Sequence, residues 1–488
     1  MSDLTVLLLL AAAKLLLHVL TDGQYGFHRD ELQTFADARH LAWGYVAYPP
    51  LTPFIGHVEQ MMFDTSLRGF RFFAAFAQSV VFVITGLMAK RMGGGRAAQI
   101  IAATAVAICP ISLAASALMQ YVSFDYLWFV LMAYFVIRLI DSNDPRWWIP
   151  IGIAIGLGAM TKYTVAFYVA GLAIGVFATP LRAQLRSKWL WIGALVSIAI
   201  AAPNLVWQLQ HHFISLDFLH HIHERDIRIG RTRTFIPDQF YITTNTFTVP
   251  LWLLGFYAIF RERRYRILGW IAVATLAIFI VARGRGYYAG PIYPMLFAAG
   301  AVDLERRIGS HRMMYAPVAA ILAIGGIMAS LLVLPITPIH SKAWDVATKL
   351  NPDFVEELGW LELAGEVARI YNTIPPDERA HTGVFANNYG EAGAVEAFGP
   401  RYGLPRPLSG ANSFWFRGPG NPPPQTLIVL GDNREALEQV CQSVTLAGHP
   451  PNPWNVRNEE AMYANDIFIC RRLRVPIDKL WPKLLRFG

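Results

Sequence analysis

Long apolar runs alternate with short polar breaks over the first two-thirds of the chain and stop near Leu334. Marking runs close to the roughly 20 apolar residues a bilayer crossing needs predicts about eleven spans. Their approximate limits are 4–20, 69–89, 97–117, 122–140, 147–161, 164–180, 189–207, 241–260, 266–282, 288–304 and 313–334. Segment 21–68 is too polar to span. Within it DELQTFADARHLAW sets Leu32, Phe35, Ala38 and Leu41 on one helical face. That spacing predicts an amphipathic helix lying in the interface plane.

From Pro335 the pattern changes. Pro, Asn, Asp and Glu become common and no span remains. TGVFANN, TLIVL and ANDIFICRRL read as strands, being short and β-rich. FVEELGWLELAGEVARIYNTI and REALEQVCQSV read as amphipathic helices. Strands alternating with helices predict a small α/β domain. The chain therefore divides into a membrane domain, 1–334, whose loop 21–68 carries an acidic motif, and an α/β domain, 335–488. The fold class is mainly α, a polytopic helical membrane protein with a small C-terminal α/β domain.

Composition agrees: 54% of residues are hydrophobic and 16% charged, a low charge content for a soluble domain. The formal net charge of +8 invites nucleic acid as a partner. The charge is scattered, however, over KRMGGGR from Lys90, RAQLRSK from Arg182, RERRYR from Arg261 and ERRIGSHR from Glu305. Small basic clusters between apolar runs are the mark of cytoplasmic loops, so nucleic acid is set aside. The same rule puts the N-terminus inside and leaves 21–68, 118–121, the TKYT turn, 208–240, ARGRGYY and the α/β domain outside. Leu4–Leu20 lacks a basic leader and a cleavage site, and reads as an uncleaved first span. Lys14 and His18 within it either snorkel or face the bundle interior. Cys109 reads as a packing residue. Cys441 and Cys470 lie in the outer domain, where pairing and free thiols are both open.

Polar groups at the outer edge carry the candidate chemistry. Asp30 and Glu31 are adjacent acids just beyond the first span, a costly place for carboxylates and so a candidate catalytic one; helix capping is the alternative for one of them. Asp125, in MQYVSFDYLWF, starts a span on the same side and is the third catalytic candidate. Lys162 in the TKYT turn and Arg283, Arg285, Tyr287 and Tyr288 in ARGRGYYAGPIYP suit a phosphate, through a point charge and planar donor forks. The loop QHHFISLDFLHHIHERDIRIGRTRTF adds Arg231 and Arg233 as basic groups facing anionic lipid or a lipid phosphate. Its His220, His221 and His223 leave a divalent metal open as a cofactor, although their spacing fits no standard zinc motif. No other cofactor is indicated.

HRDELQTFADARHLAWGYVAYPPLTP resembles the first outer loop of membrane glycosyltransferases with the GT-C fold, in the dolichyl-phosphate-mannose–protein mannosyltransferase superfamily. Its bacterial branch holds lipid A aminoarabinose and galacturonosyl transferases. The resemblance extends through FDYLWF, MTKYT, GRGYYAGPIYP and NNYGEAGAVEAFGPRYGLPRPLSGANSFWFRGPG. It implies an inner-membrane enzyme that moves a sugar, hexosyl or pentosyl, from a polyprenyl-phosphate donor to a hydroxyl or phosphate of a lipid or glycan acceptor on the extracytoplasmic face, with inversion. It further implies Asp30 as base, Asp125 as the acid of the second outer loop, and Arg285, Tyr287 and Tyr288 near the lipid phosphate. Relatives often read D-E-A-x-Y where this chain reads D-E-L-Q-T, a departure at the sugar contacts. The competing class is a transporter or flippase for a lipid or small solute. It predicts inverted repeats and mid-membrane charges, whereas no repeat is visible and most candidate charges lie at the outer edge.

Overall fold

The computed structural model describes every residue from Met1 to Gly488. The chain opens with α1 (Asp3–Thr21), then forms α2 (Arg29–Arg39), α3 (Leu51–Phe63) and the single turn α4 (Leu67–Phe70). The bundle continues with α5 (Phe72–Arg91), α6 (Arg96–Ala107), α7 (Pro110–Ala117), α8 (Tyr121–Ser142), α9 (Trp148–Ala159), α10 (Val165–Phe177) and α11 (Lys188–Gln210). Two helices, α12 (Ile214–Arg228) and α13 (Phe235–Tyr241), fill the basic loop. The bundle closes with α14 (Val249–Arg261), α15 (Arg266–Val281), α16 (Tyr293–Ile308) and α17 (Tyr315–Val333).

Helices stand at every predicted span, but fewer are full-length crossings than the apolar pattern suggests. Six are long and apolar enough to cross a membrane, or up to eight if each bent pair is one span. One such pair, α6 and α7, bends by 67°. Pro110 opens α7, and a proline both lacks the N–H donor and pushes the residue before it out of the helical region. Helix α9 has 12 residues, about 18 Å at 1.5 Å per residue, well short of a roughly 30 Å hydrocarbon core. Hydropathy registers such a helix as readily as a long one. It is held by close backbone approach: a Cβ on Gly152 would lie 2.0 Å from the Gly193 carbonyl oxygen of α11. Inside the bundle Lys14 is buried and donates to Ser116 Oγ at 2.6 Å, so it does not snorkel.

The α/β domain adds α18 (Lys342–Leu350), α19 (Trp360–Thr373), α20 (Pro376–Arg379), α21 (Tyr389–Phe398), α22 (Arg434–Val440), α23 (Glu459–Tyr463) and α24 (Ile477–Leu480) around a mixed five-stranded sheet of order β2-β1-β3-β5-β4. The strands are β1 (Thr382–Ala386), β2 (Pro407–Leu408), β3 (Thr426–Leu430), β4 (Cys441–Gly448) and β5 (Ile467–Leu473). β1 pairs parallel with β2 and β3, while β5 runs antiparallel to β3 and β4. The helix predicted over REALEQVCQSV ends at Val440, and CQSV is the start of β4. Edge pairing with β5, in which Val444 of β4 lies opposite Cys470 of β5, overrides the helical pattern there. Cys441 and Cys470 form a disulfide between those strands, and Cys109 is free and buried.

Between the two domains lies α2, and its setting differs from the expected one. It is not laid in the interface plane: all residues from Glu31 to Ala38 are buried, and Leu41, expected on its apolar face, lies beyond the helix and exposed. Phe35 packs on Phe70 beneath it, ring centroids 5.2 Å apart. Above it α21 comes so close that a Cβ on Gly393 would meet Leu32 at 2.7 Å. One continuous apolar core runs from the bundle through Phe27, Leu32 and Phe35 into Trp360 and Val395. The polar face of α2 meets the α/β domain instead of water: Arg417 Nη2 donates to Asp37 Oδ1 at 2.7 Å, and Asn412 Nδ2 to Gln33 Oε1 at 3.0 Å.

The first turn of α2 is locked by Arg71, 1% exposed. Its Nε and Nη2 donate to the two oxygens of Glu31 at 2.9 and 2.6 Å, a planar fork on a carboxylate. The remaining donors reach the Asp22 carbonyl at 2.6 Å, the Gly26 carbonyl at 3.0 Å and Glu357 of the α/β domain at 3.2 Å. Glu31 also accepts the backbone N–H of His28 at 2.9 Å and of Met119 at 2.8 Å. Burial pushes the Glu357 carboxyl up to about 7 despite Arg71. Breaking one partner of a buried pair strands the other charge, at a cost of about 3–5 kcal/mol. Arg71→Ala is therefore expected to lower the melting temperature of the detergent-solubilised protein sharply; an unchanged melt would refute the cluster's structural role. Thiol counting checks the α/β domain: denatured protein should expose one reactive thiol before reduction and three after it.

Candidate active site

A cavity of about 500 Å³ opens at the end of the bundle that carries the α/β domain. Its wall is drawn from α2, the WGYVAYPP loop, the start of α8, the α9–α10 turn, α12, the loop before α16, and α21. Almost every segment predicted to lie on one side of the membrane thus converges on one space.

Asp30 and Glu31 part company here. Neighbouring residues on a helix point about 100° apart, and the capping box fixes which way each turns: His28 Nδ1 accepts the Asp30 N–H at 3.1 Å while Glu31 reaches back to the His28 N–H. Glu31 faces the Arg71 cluster, is fully buried and does not line the cavity. Its expected catalytic placement gives way to a structural one. Asp30 lines the cavity. Its Oδ1 accepts the Tyr389 hydroxyl at 2.8 Å, and Oδ2 has only a long contact to Gln120 Nε2 at 3.4 Å. Burial pushes the Asp30 carboxyl up, but His28, Arg29, the Tyr389 hydroxyl and Arg285 together hold it below its ordinary value. It is an ionised carboxylate with one oxygen open.

Lys162 also lines the cavity, its Nζ 3.9 Å from the centroid of the Tyr288 ring and 4.9 Å from that of Tyr121. Burial lowers its pKa, opposed by Tyr287 and Asp125, with Arg285 lowering it further. Asp125 itself does not reach the cavity. It is buried behind the α9–α10 turn with Thr164 Oγ1 donating to it at 3.3 Å, so it does not share a site with Asp30 as expected but backs Lys162. Arg283 and Arg285 both line the wall. Arg285 is held as a fork by Asp226, at 2.6 and 2.9 Å, and touches the Tyr287 hydroxyl at 3.3 Å. Tyr288 lines the cavity and Tyr287 packs behind it, centroids 4.7 Å apart.

Two expected contributors miss the cavity. Arg231 is half exposed and 3.9 Å from Asp226, and Arg233 is exposed. One turn earlier, Arg225 takes that place on α12, its buried Nε without a partner. The histidines form no metal centre: His220 and His223 line the rim, His220 pairs with Glu224 at 3.1 Å, His221 packs near Phe487, and no group of three metal-ligating side chains converges. A histidine on a solvated helix face fans outward, and three in four positions cannot share one centre.

Tyr389, Asn412, Tyr121, Arg225 and Asp226 belong to the site and escape residue-by-residue reading. Tyr389 and Asn412 do lie in the NNYGEAGA and SGANSFW runs, whose polar and aromatic residues at turns are the available signal. Asp226, one of two acids among the arginines of HERDIRIGR, is a natural counter-ion for one of them.

Residues 47–207 match the family model described as dolichyl-phosphate-mannose-protein mannosyltransferase. The chain is 25% identical over 263 residues to the lipid A galacturonosyltransferase RgtD of Rhizobium johnstonii, a match covering 52% of this chain and 54% of that protein, about half the length of each. Two solved structures of ArnT from Cupriavidus metallidurans share its fold. The apo form has a TM-score of 0.63 at 14% identity, over 96% of this chain and 98% of ArnT. The form bound to undecaprenyl phosphate has a TM-score of 0.62 at 14% identity, over 94% and 97%. The chain thus shares the fold of ArnT over nearly its whole length, and its segment 47–207 matches the mannosyltransferase family model.

Proposed function

We propose that this chain transfers a sugar from a polyprenyl-phosphate donor to a hydroxyl or phosphate of a lipid acceptor at the extracytoplasmic face of the bacterial inner membrane. One observation carries the reading: a single cavity sets an ionised carboxylate, Asp30, among the cations Lys162, Arg225 and Arg283. A carboxylate with an open oxygen is a general base, and clustered cations receive a phosphate. The apolar wall contributed by Phe167, Phe218 and Leu219 suits the first units of a lipid tail. The name of the curated relative supports lipid A as acceptor, and the ligand of the second ArnT structure supports a polyprenyl phosphate.

In this mechanism Oδ2 of Asp30 takes the proton of the acceptor hydroxyl as its oxygen forms a bond to the anomeric carbon. The bond from that carbon to the phosphate oxygen breaks, and its electron pair leaves on the phosphate. Lys162 and Arg225, both on the cavity wall, stabilise the charge that develops there. A phosphate leaving group needs no acid, so the second carboxylate of the cavity, Asp226, serves to hold Arg285. A single displacement inverts the anomeric centre. Glu31 holds the helix and Asp125 supports Lys162. The orientation follows the basic clusters: N-terminus cytoplasmic, α/β domain outside, where a disulfide persists.

Comparing lipids and surface glycans by mass spectrometry from cells with and without the protein should reveal a mass difference of one sugar on an envelope lipid; identical spectra would contradict the assignment. Asp30→Asn should remove that product while the protein accumulates in the membrane at its normal level, and wild-type product would exclude Asp30 as base. Lys162→Met should weaken binding of undecaprenyl phosphate to the purified protein by about tenfold or more, the worth of a charged hydrogen bond. Unchanged affinity would remove Lys162 from the phosphate site.

A further inference from the structure

The α/β domain gives the proposed base one side-chain hydrogen bond, from Tyr389. That residue starts α21, which Asn388 caps by accepting the Glu391 N–H at 2.9 Å. Tyr389 is half-buried, and its edge lines the cavity. Its hydroxyl donates to Asp30 Oδ1 at 2.8 Å and accepts from Arg29 Nε at 3.0 Å. The Arg29 guanidinium also lies 5.0 Å from the Tyr389 ring centroid. That guanidinium is tethered in turn to the α/β domain, by an ion pair to Glu459 and by Glu460 at 3.5 Å and Glu356 at 4.0 Å. A donor that has received a charge-assisted hydrogen bond polarises and strengthens the bond it gives.

We infer that Tyr389 is a positioning residue for the transfer: the α/β domain, through the relay Arg29–Tyr389–Asp30, holds Oδ1 of the base so that Oδ2 alone faces the acceptor. The inference rests on the reading of Asp30 as base. It gives the α/β domain a part in the chemistry, since a chain without that domain docked on α2 would carry the carboxylate but not its donor. The relay is polarised in one sense. Arg29 can only donate, so the phenol must spend its single proton on Asp30. The carboxylate therefore keeps its lone pairs on the far oxygen for the incoming hydroxyl proton.

The other groups facing Asp30 are His28, Arg29 and Glu31 on its own helix, Gln120 and Tyr121 at the start of α8, and Arg285. All remain in Tyr389→Phe, where Arg29 Nε loses its acceptor and Asp30 loses one hydrogen bond. Because that bond favours the charged carboxylate, its loss raises the pKa of the base, and the acid limb of the pH–rate profile moves to higher pH.

The test uses membranes of cells lacking the protein and re-expressing wild-type chain, Tyr389→Phe or Asp30→Asn. The probe is the membranes' own lipid-linked sugar, and the readout is the initial rate of the sugar-bearing product across a pH series. Tyr389→Phe should slow transfer by about 10- to 100-fold, the worth of a hydrogen bond to a charged group, with the acid limb displaced upward and the melting temperature of the purified protein unchanged. A wild-type rate and acid limb in Tyr389→Phe, with Asp30→Asn inactive, would overturn the inference and leave the base assignment standing. A slower rate with an unmoved acid limb and a lowered melt would make Tyr389 a packing residue and overturn it as well. Activity in Asp30→Asn would remove the base itself.

Discussion

The site hangs on one buried guanidinium. Arg71 gathers the end of α1, the turn before α2, Glu31 in the first turn of α2, and Glu357 of the α/β domain, with Met119 at the entry to α8 joined through Glu31. Removing a charge of this kind from water is expensive, and the expense is met only when every donor finds an acceptor. That condition fixes the rotation of α2. Once Glu31 is committed to Arg71, the residue before it must point elsewhere, and elsewhere is the cavity. Adjacent acids thus have different fates because a helix turns between them.

Helix α2 is a shared floor. Its apolar face rests on Phe70 and its polar face on the α/β domain through Asp37 with Arg417, Gln33 with Asn412, and Asp30 with Tyr389. The arrangement explains why a helix of such polar composition is buried from Glu31 to Ala38. It also explains why the aromatic loop after it is ordered: Tyr48 donates to Asp37 Oδ2 at 2.7 Å, and only Trp43 is left fully outside. The aromatic run serves both as part of the cavity wall, through Tyr48, and as an exposed surface, through Trp43.

What was legible in the sequence follows from the range of the forces involved. Apolar periodicity is local, so helices stand where the spans were expected and β1, β3 and β5 where strands were expected. Whether a helix is long enough to cross is less local; α9 has only 12 residues and packs closely on α11. The burial of α2 was not legible at all, since its partners Tyr389, Asn412 and Arg417 lie more than 350 residues away. An acidic and basic helix face with no visible partner reads as solvated. The same blindness placed Asp125 beside Asp30, because two carboxylates predicted on one side of a bilayer can still be separated by a wall, here the one that holds Lys162. Arg225 was missed in favour of Arg231 and Arg233 because a basic loop does not reveal which of its arginines turns inward.

The division of labour between the two acids is the claim on which the rest depends, and thermal unfolding of two purified variants measures it directly. Glu31→Gln should melt well below the wild type, since it leaves Arg71 without a carboxylate, whereas Asp30→Asn should melt with the wild type. Equal melting of both variants, or a lower melt for Asp30→Asn, would contradict the account.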